Sequence, residues 1–289
     1  MGLMDEYRQR IDRRLDALTA GDADTASPVI AAMRHALLAP GKRLRPVITM
    51  LISAQLGHEP ELGLDPGCAI EMVHTSSLVF DDLPAMDDAA LRRGRPTVHK
   101  AFGHDVAILA GIALLNDAFG VIADARGLSS QSKVELTALL ARAVGSKGLV
   151  GGQFLDLHER ASDLPADRLE HINALKTAAL FVAAADAGAV VAGGTATQRL
   201  SAANFGLELG LAFQLADDLI DDPAYAGTTG KDVNQDRNKP TVASTLGVAD
   251  TRQRLAARIA AARRHLAAIG GDAAPLNHIL TSSFGRFLP

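Results

Sequence analysis

Apolar residues recur three and four positions apart along almost the whole of this chain, which is the helical period. Tyr7, Ile11, Leu15 and Leu18 form one such stripe among alternating charges. They predict an amphipathic helix near the start, over about residues 4–20, rather than a cleavable leader with an apolar core. Further helix-length blocks fall at about 28–38, 46–56, 66–83, 103–124, 131–147, 149–160, 166–191, 197–221, 241–247, 251–268 and 274–285. Pro40-Gly41, Gly57 to Pro60, Gly94-Arg95-Pro96, Gly193-Gly194 and the glycines of 227–230 separate them. Alternation of the strand kind, closed by hairpin turns, is hard to find. The pattern predicts an all-α protein. No low-complexity linker and no solenoid repeat divides it, so one domain over 1–289 is expected.

Composition narrows this picture. Hydrophobic residues make up 48% of the 289, enough for a large core, and aromatics only 4%. Small aliphatic side chains therefore build the core. A net charge of −4 carries no broad footprint for nucleic acid. The apolar run at 178–194 is interrupted by Asp186 and is shorter than the roughly 20 residues of a membrane span, so no span is expected. The one cysteine, Cys68, rules out an intrachain disulfide and lies among apolar neighbours. This fits a packing role in a soluble, cytoplasmic protein.

Two acidic clusters stand out against that background: Asp81-Asp82-Leu83-Pro84-Ala85-Met86-Asp87-Asp88 and Asp217-Asp218-Leu219-Ile220-Asp221-Asp222. Carboxylates packed together repel and call for a cation. Several oxygen ligands suit Mg²⁺, which keeps waters and binds through few carboxylates plus substrate phosphates. In the second cluster Asp217 and Asp221 lie about 40° apart on a helix, so they share a face without a break. In the first, Asp81 and Asp87 would lie about 240° apart on an unbroken helix. They meet only if the helix stops near Asp82, and Pro84 supplies the stop. Two facing clusters of this kind suggest a cage that holds a diphosphate through Mg²⁺.

Cations follow the same plan. Gly41-Lys42-Arg43-Leu44-Arg45-Pro46 precedes a helix, and Arg92-Arg93-Gly94-Arg95-Pro96 directly follows the first cluster. Gly230-Lys231-Asp232 and Lys239-Pro240-Thr241 follow the second. Guanidinium forks match diphosphate oxygens, and lysine acts as a point charge. The runs suit two anionic substrates, one held through metal and one not.

The segment from His74 through the first cluster to Thr97 closely resembles the first aspartate-rich motif of the trans-isoprenyl diphosphate synthases. Phe213-Gln214-Leu215-Ala216 with the second cluster resembles their second motif. The 41–46 run, Gly151-Gly152-Gln153 with Asp156, Lys176-Thr177 and the Gly230-Lys231-Asp232 loop match in family order. The resemblance spans about 30–245 and is nearest to short bacterial geranylgeranyl diphosphate synthases of carotenoid pathways. The chain departs from the common pattern at Gly111-Ile112 and at Ala89-Ala90, where relatives carry acids.

The resemblance implies a large isoprenoid-synthase bundle around a deep cavity, working as a homodimer on small diphosphates. It implies about three Mg²⁺ per active site, with Mn²⁺ as a substitute. Asp81, Asp82, Asp87, Asp217 and Asp221 would hold metal, and Asp218 would act beside them. Arg92, Lys176, Thr177, Gln214, Lys231 and Lys239 would bind the allylic diphosphate. Gly41, Lys42, Arg45, His74 and Arg93 would bind isopentenyl diphosphate. The 222–240 loop would close over the site. Ser76 and Ser77, a turn before Asp81, would line the product tunnel, and their small size predicts a C20 product. A C15 synthase, a regulatory subunit of a heteromeric synthase and a terpene cyclase are the alternatives. The paired aspartate motifs weigh against a cyclase, and the intact acids weigh against a regulatory subunit.

Overall fold

The computed structural model describes residues 2–20, 27–159, 164–221 and 241–287. Helix dominates them, as the periodicity predicts. Two compact units are present: residues 1–140 with 190–192, and 141–189 with 193–289.

The first unit holds α1 (Leu3–Leu18), α2 (Pro28–Leu37), α3 (Leu44–Gln55), α4 (Leu64–Asp81), α5 (Val98–Phe102) and α6 (His104–Asp124), and α7 (Ser130–Val144) follows in the chain. Tyr7, Ile11 and Leu15 turn inward from α1, as their spacing requires. Its charged face clamps onto neighbours: Arg14 pairs with Asp65 at 2.6 Å, Asp12 with Arg43 at 2.8 Å, and Arg10 with Glu61. The helix α4 has little amphipathicity because it is enclosed, packing on α3 and above all on α6. Phe80 of α4 meets α6 at Gly111, where an added Cβ would stand 2.7 Å from the ring. Cys68 is fully buried, and burial pushes its thiol well above the usual range. That is the packing role expected of it.

A pairing that the periodicity does not predict lies between α4 and α5. Leu91–Arg92 (β1) and Arg95–Pro96 (β2) pair antiparallel, Leu91 with Pro96 and Arg92 with Arg95. Such a short ribbon is below the length at which alternation can be read.

In the second unit, α11 (Ala196–Asp221) packs along α13 (Val248–Ile269). Around them lie α8 (Leu149–His158), α9 (Ala166–Asn173), α10 (Ala179–Val191), α12 (Val242–Leu246) and α14 (Ala274–Phe284). The single block expected over 166–191 is continuous, but it contains a π-helical turn at Ala174–Ala178. Phe213 stacks on Phe181 at 5.3 Å and meets Phe284 edge-on at 4.8 Å. Asp186, the polar break in the apolar run, pairs with Arg199 of α11 at 2.8 Å.

The stretches His104–Asp124 and Ala166–Val191 are long and apolar enough, by length and composition, to cross a membrane, a test that the core helix of a helical bundle also passes. Each packs on helices of its own unit. On α6, however, Ile108, Leu109 and Ile112 remain exposed.

Candidate active site

In the first unit the acidic cluster breaks the helix as its spacing demands. The last residue of α4 is Asp81, and Asp82 caps it. Pro84 then carries the chain through a tight turn, closed by hydrogen bonds from the Met86 and Asp88 amides to the Leu83 carbonyl. The Asp87 amide donates to the Asp81 carbonyl at 3.0 Å, so these two residues, six apart in sequence, become neighbours. Asp87 is exposed and Asp81 half-buried. Asp88 turns away in a left-handed conformation, with Lys100 at 3.3 Å.

Asp82 has a different environment. It is buried, and both its oxygens accept from Arg92 Nε, at 2.9 and 3.0 Å. Burial raises this carboxyl, with Arg92 opposing. The expected ligand set therefore separates into Asp81 with Asp87, which share the turn, and Asp82, engaged by arginine. Among the described residues no three acidic, histidine or cysteine side chains form a closed metal cage. Two acidic residues on one turn without such a cage suit a divalent cation that takes its remaining oxygens from water and substrate.

The hairpin turn after the cluster brings two arginines forward. Arg93 and Gly94 both have positive φ, 54° and 75°, which is the two-residue turn that suits a right-twisted ribbon. Glycine adopts this freely, whereas Arg93 does so at a cost of about 1–2 kcal/mol. Strain of this kind on a charged residue is characteristic of binding sites. The Arg93 guanidinium lies against Gly41, where an added Cβ would stand 2.7 Å from Nη1. The 41–46 run and the hairpin thus meet.

Around that meeting point the charges are mismatched. Burial holds Arg45 down to about 10, with Glu71 opposing and Arg93 adding to the depression. Burial also lowers Arg93, against Glu71 and with Arg43 and Arg92. His74 falls well below the usual histidine range through burial and the field of Arg45, Arg93, Arg92 and Arg43, so it is neutral. Two arginines lowered chiefly by burial, with other cations adding to it, suit an anion at this point.

Arg43, the middle cation of its run, is set apart from Arg45 and Arg93. It is buried, pairs with Asp12 and Glu71, and donates to the carbonyls of Leu37 and Ala39. Sequence reasoning missed Glu71, the buried acid that faces Arg43 at 3.2 Å and offsets Arg45 and Arg93. Its helical offset of three from His74 is the only signal that could have revealed it.

The second unit gathers the other expected residues. The π-turn carries Lys176 and Thr177, and such turns recur at functional sites. Lys176 Nζ donates to Asp156 of α8 at 2.6 Å. Thr177 donates to Gln214 at 3.1 Å, and Gln214 donates to Asp218 at 2.9 Å. Asp218 also accepts from the Val242 amide at 2.9 Å and is buried, so it anchors α12 to α11. Asp217 is exposed on α11. Gly152 permits the approach of α8: an added Cβ would lie 2.4 Å from the Lys176 amide nitrogen.

The Asp221 side chain, Lys231, Lys239 and the expected closing loop at 222–240 lie outside the described residues. Of the two residues expected to line the product tunnel, Ser76 is buried with its hydroxyl on the Gly111 carbonyl at 2.7 Å. Ser77 is half-buried and donates to the His74 carbonyl.

Known proteins match this arrangement over nearly its full length. The family model described as Polyprenyl synthetase matches residues 27–268. A geranylgeranyl diphosphate synthase from Pantoea ananas is 44% identical over 284 residues, covering 96% of this chain and 91% of that protein. A farnesyl diphosphate synthase from Geobacillus stearothermophilus is 41% identical over 252 residues, covering 86% and 85%. Among solved structures, a geranyltransferase from Legionella pneumophila has a TM-score of 0.87 at 30% identity, covering 98% of this chain and 96% of that one. An FPP/GFPP synthase from Zymomonas mobilis has a TM-score of 0.84 at 34% identity, covering 99% and 96%. The all-α fold is of the isoprenoid synthase type. With its two aspartate motifs and paired cation runs in order, the chain belongs to the polyprenyl synthetase family, trans-prenyltransferases that use a divalent metal.

Proposed function

We propose that this protein condenses isopentenyl diphosphate with an allylic diphosphate and releases geranylgeranyl diphosphate, a C20 product. The observation that carries the two-substrate reading is the cation cluster of Arg45 and Arg93 beside neutral His74, distinct from the Asp81–Asp87 turn. One anion is held by cations alone and the other by carboxylates through metal.

In this reading Asp81, Asp82, Asp87, Asp217 and Asp221 would hold Mg²⁺, about three ions per site with Mn²⁺ as substitute, which would supply charge neutralisation to the departing diphosphate. Asp82 also positions Arg92, and Asp218 positions Gln214. Arg92, Lys176, Thr177, Gln214, Lys231 and Lys239 hold the allylic diphosphate. Gly41, Lys42, Arg45, His74 and Arg93 hold isopentenyl diphosphate. The allylic C–O bond breaks and its electron pair leaves with diphosphate. The isopentenyl double bond attacks the resulting carbocation, and a proton then passes to the released diphosphate. Exclusion of water protects the cation. A neutral His74 suits this chemistry, since it adds a hydrogen bond to the anion without a further buried charge.

Chain length follows from Ser76 and Ser77, which leave space where an aromatic would close it. The exposed apolar face of α6 supports a homodimer. Reduced, buried Cys68 suits the cytoplasm.

The test is product analysis by mass spectrometry with Mg²⁺, labelled isopentenyl diphosphate and each of dimethylallyl, geranyl and farnesyl diphosphate. The expected product is C20, and Ser76→Phe should shift it to C15 or shorter. A C15 product from the wild type would keep the reaction and overturn the chain length. An unchanged product from Ser76→Phe would move the tunnel wall elsewhere.

A further inference from the structure

The hairpin that carries Arg92 and Arg93 has little beneath it. Its inner side borders a partly open pocket lined by α2, α4 and the hairpin itself. Leu91, Arg93, Gly94, Arg95 and Pro96 are exposed, and Arg93, Arg95 and Pro96 also line the pocket. Packing therefore does not fix this ribbon. Its position depends on the few polar contacts that tie it down.

One of these comes from His35 on α2. Its Nε2 lies 2.8 Å from the Pro96 carbonyl, and its Nδ1 lies 3.1 Å from Arg95 Nη2. A carbonyl only accepts and a guanidinium only donates. Nε2 must therefore carry the proton and Nδ1 the lone pair, so the neutral imidazole satisfies both partners at once. Phe102 holds the ring edge-on at 5.3 Å. Pro96 pairs with Leu91 and Arg95 with Arg92, so both atoms that His35 grips belong to β2, directly across from the strand that leads into Arg92 and Arg93.

We infer that His35 is a positioning residue: by bridging Pro96 and Arg95 it holds the hairpin over the cavity and so places Arg92 and Arg93 for the two diphosphates. This rests on the proposed roles of those two arginines. His35 touches no reacting atom, so its loss weakens binding of both substrates without slowing the bound complex.

The experiment compares steady-state kinetics of the wild type, His35→Phe and His35→Gln, together with hydrogen exchange of the 91–97 amides. His35→Phe keeps the ring against Phe102 and removes both bonds. It should raise KM for both the allylic and isopentenyl diphosphates about tenfold, with kcat within about twofold. Amide exchange at 91–97 should quicken while the helices keep their wild-type rates. Glutamine offers an acceptor and a donor at similar spacing, and should restore both KM values to within about threefold. Unchanged KM values in His35→Phe would overturn the inference. So would a fall in kcat alone, or equal defects in Phe and Gln. If the wild type performs no condensation, the reading of the arginines fails separately. The exchange rates then still decide whether His35 holds the hairpin, and unchanged rates in His35→Phe would overturn that.

Discussion

At the scale of single residues, the site is organised by charges that are costly where they stand. Arg43 and Glu71 are both buried and paired, so neither can be removed alone without leaving an uncompensated charge. Arg45, Arg93 and His74 are held below their usual values, which stores a demand for an anion. His74 has a measurable consequence. Its folded-state value lies well below the unfolded value of about 6.5, so the unfolded chain binds more protons as pH falls. The stability this group contributes is present above about pH 6.5 and is lost progressively below it. Thermal unfolding from pH 7.5 down to pH 5 should therefore show a smaller loss of Tm in His74→Gln than in the wild type. Parallel losses in the two proteins would show that His74 is not held neutral.

At the scale of elements, two local departures from ideal helix carry most of the chemistry. The stop at Asp82 folds Asp87 back onto Asp81, and the π-turn sets Lys176 and Thr177 against α8 and α11. The first was legible because a proline stands in the right place between the acids. The second was not, since nothing in Ala174-Leu175-Lys176-Thr177-Ala178 distinguishes a π-turn from α-helix. The turn packs against α8 at Gly152, where an added Cβ would lie 2.4 Å from the Lys176 amide nitrogen. Gly152→Ala should force α8 and the π-turn apart. The expected cost is about 1–3 kcal/mol of stability, as for overpacking in general, with a loss of kcat/KM for the allylic substrate larger than that for isopentenyl diphosphate. Equal losses for the two substrates would indicate general loosening instead. The β1–β2 ribbon was hidden for a different reason: two residues a side are too few to show alternation, although Gly94 marked the turn.

At the scale of the whole molecule, α6 is the informative helix. It has the length and hydropathy of a membrane span, packs one side on α4, and leaves Ile108, Leu109 and Ile112 exposed at 43%, 52% and 53%. In the proposed homodimer a second copy of the chain would cover this face and account for both properties. Sedimentation equilibrium should therefore report a dimer, and Ile112→Lys should shift it toward monomer. A monomeric wild type at assay concentration would remove the dimer from the proposal.

The sequence by itself determined the helical class, the two acidic motifs, the break within the first, and the family. Each depends on local periodicity, on the backbone chemistry of proline, or on residue types in a fixed order. The tertiary structure decided which members of those motifs are partnered and how. Asp82 is engaged by Arg92, Asp218 anchors α12, and Arg43 sits in the core with Glu71 while its neighbours Arg45 and Arg93 crowd an anion site. Adjacent residues of identical type differ in this way because a helix turns each one toward a different neighbour. Burial and partner, not residue type, then set the charge each can offer.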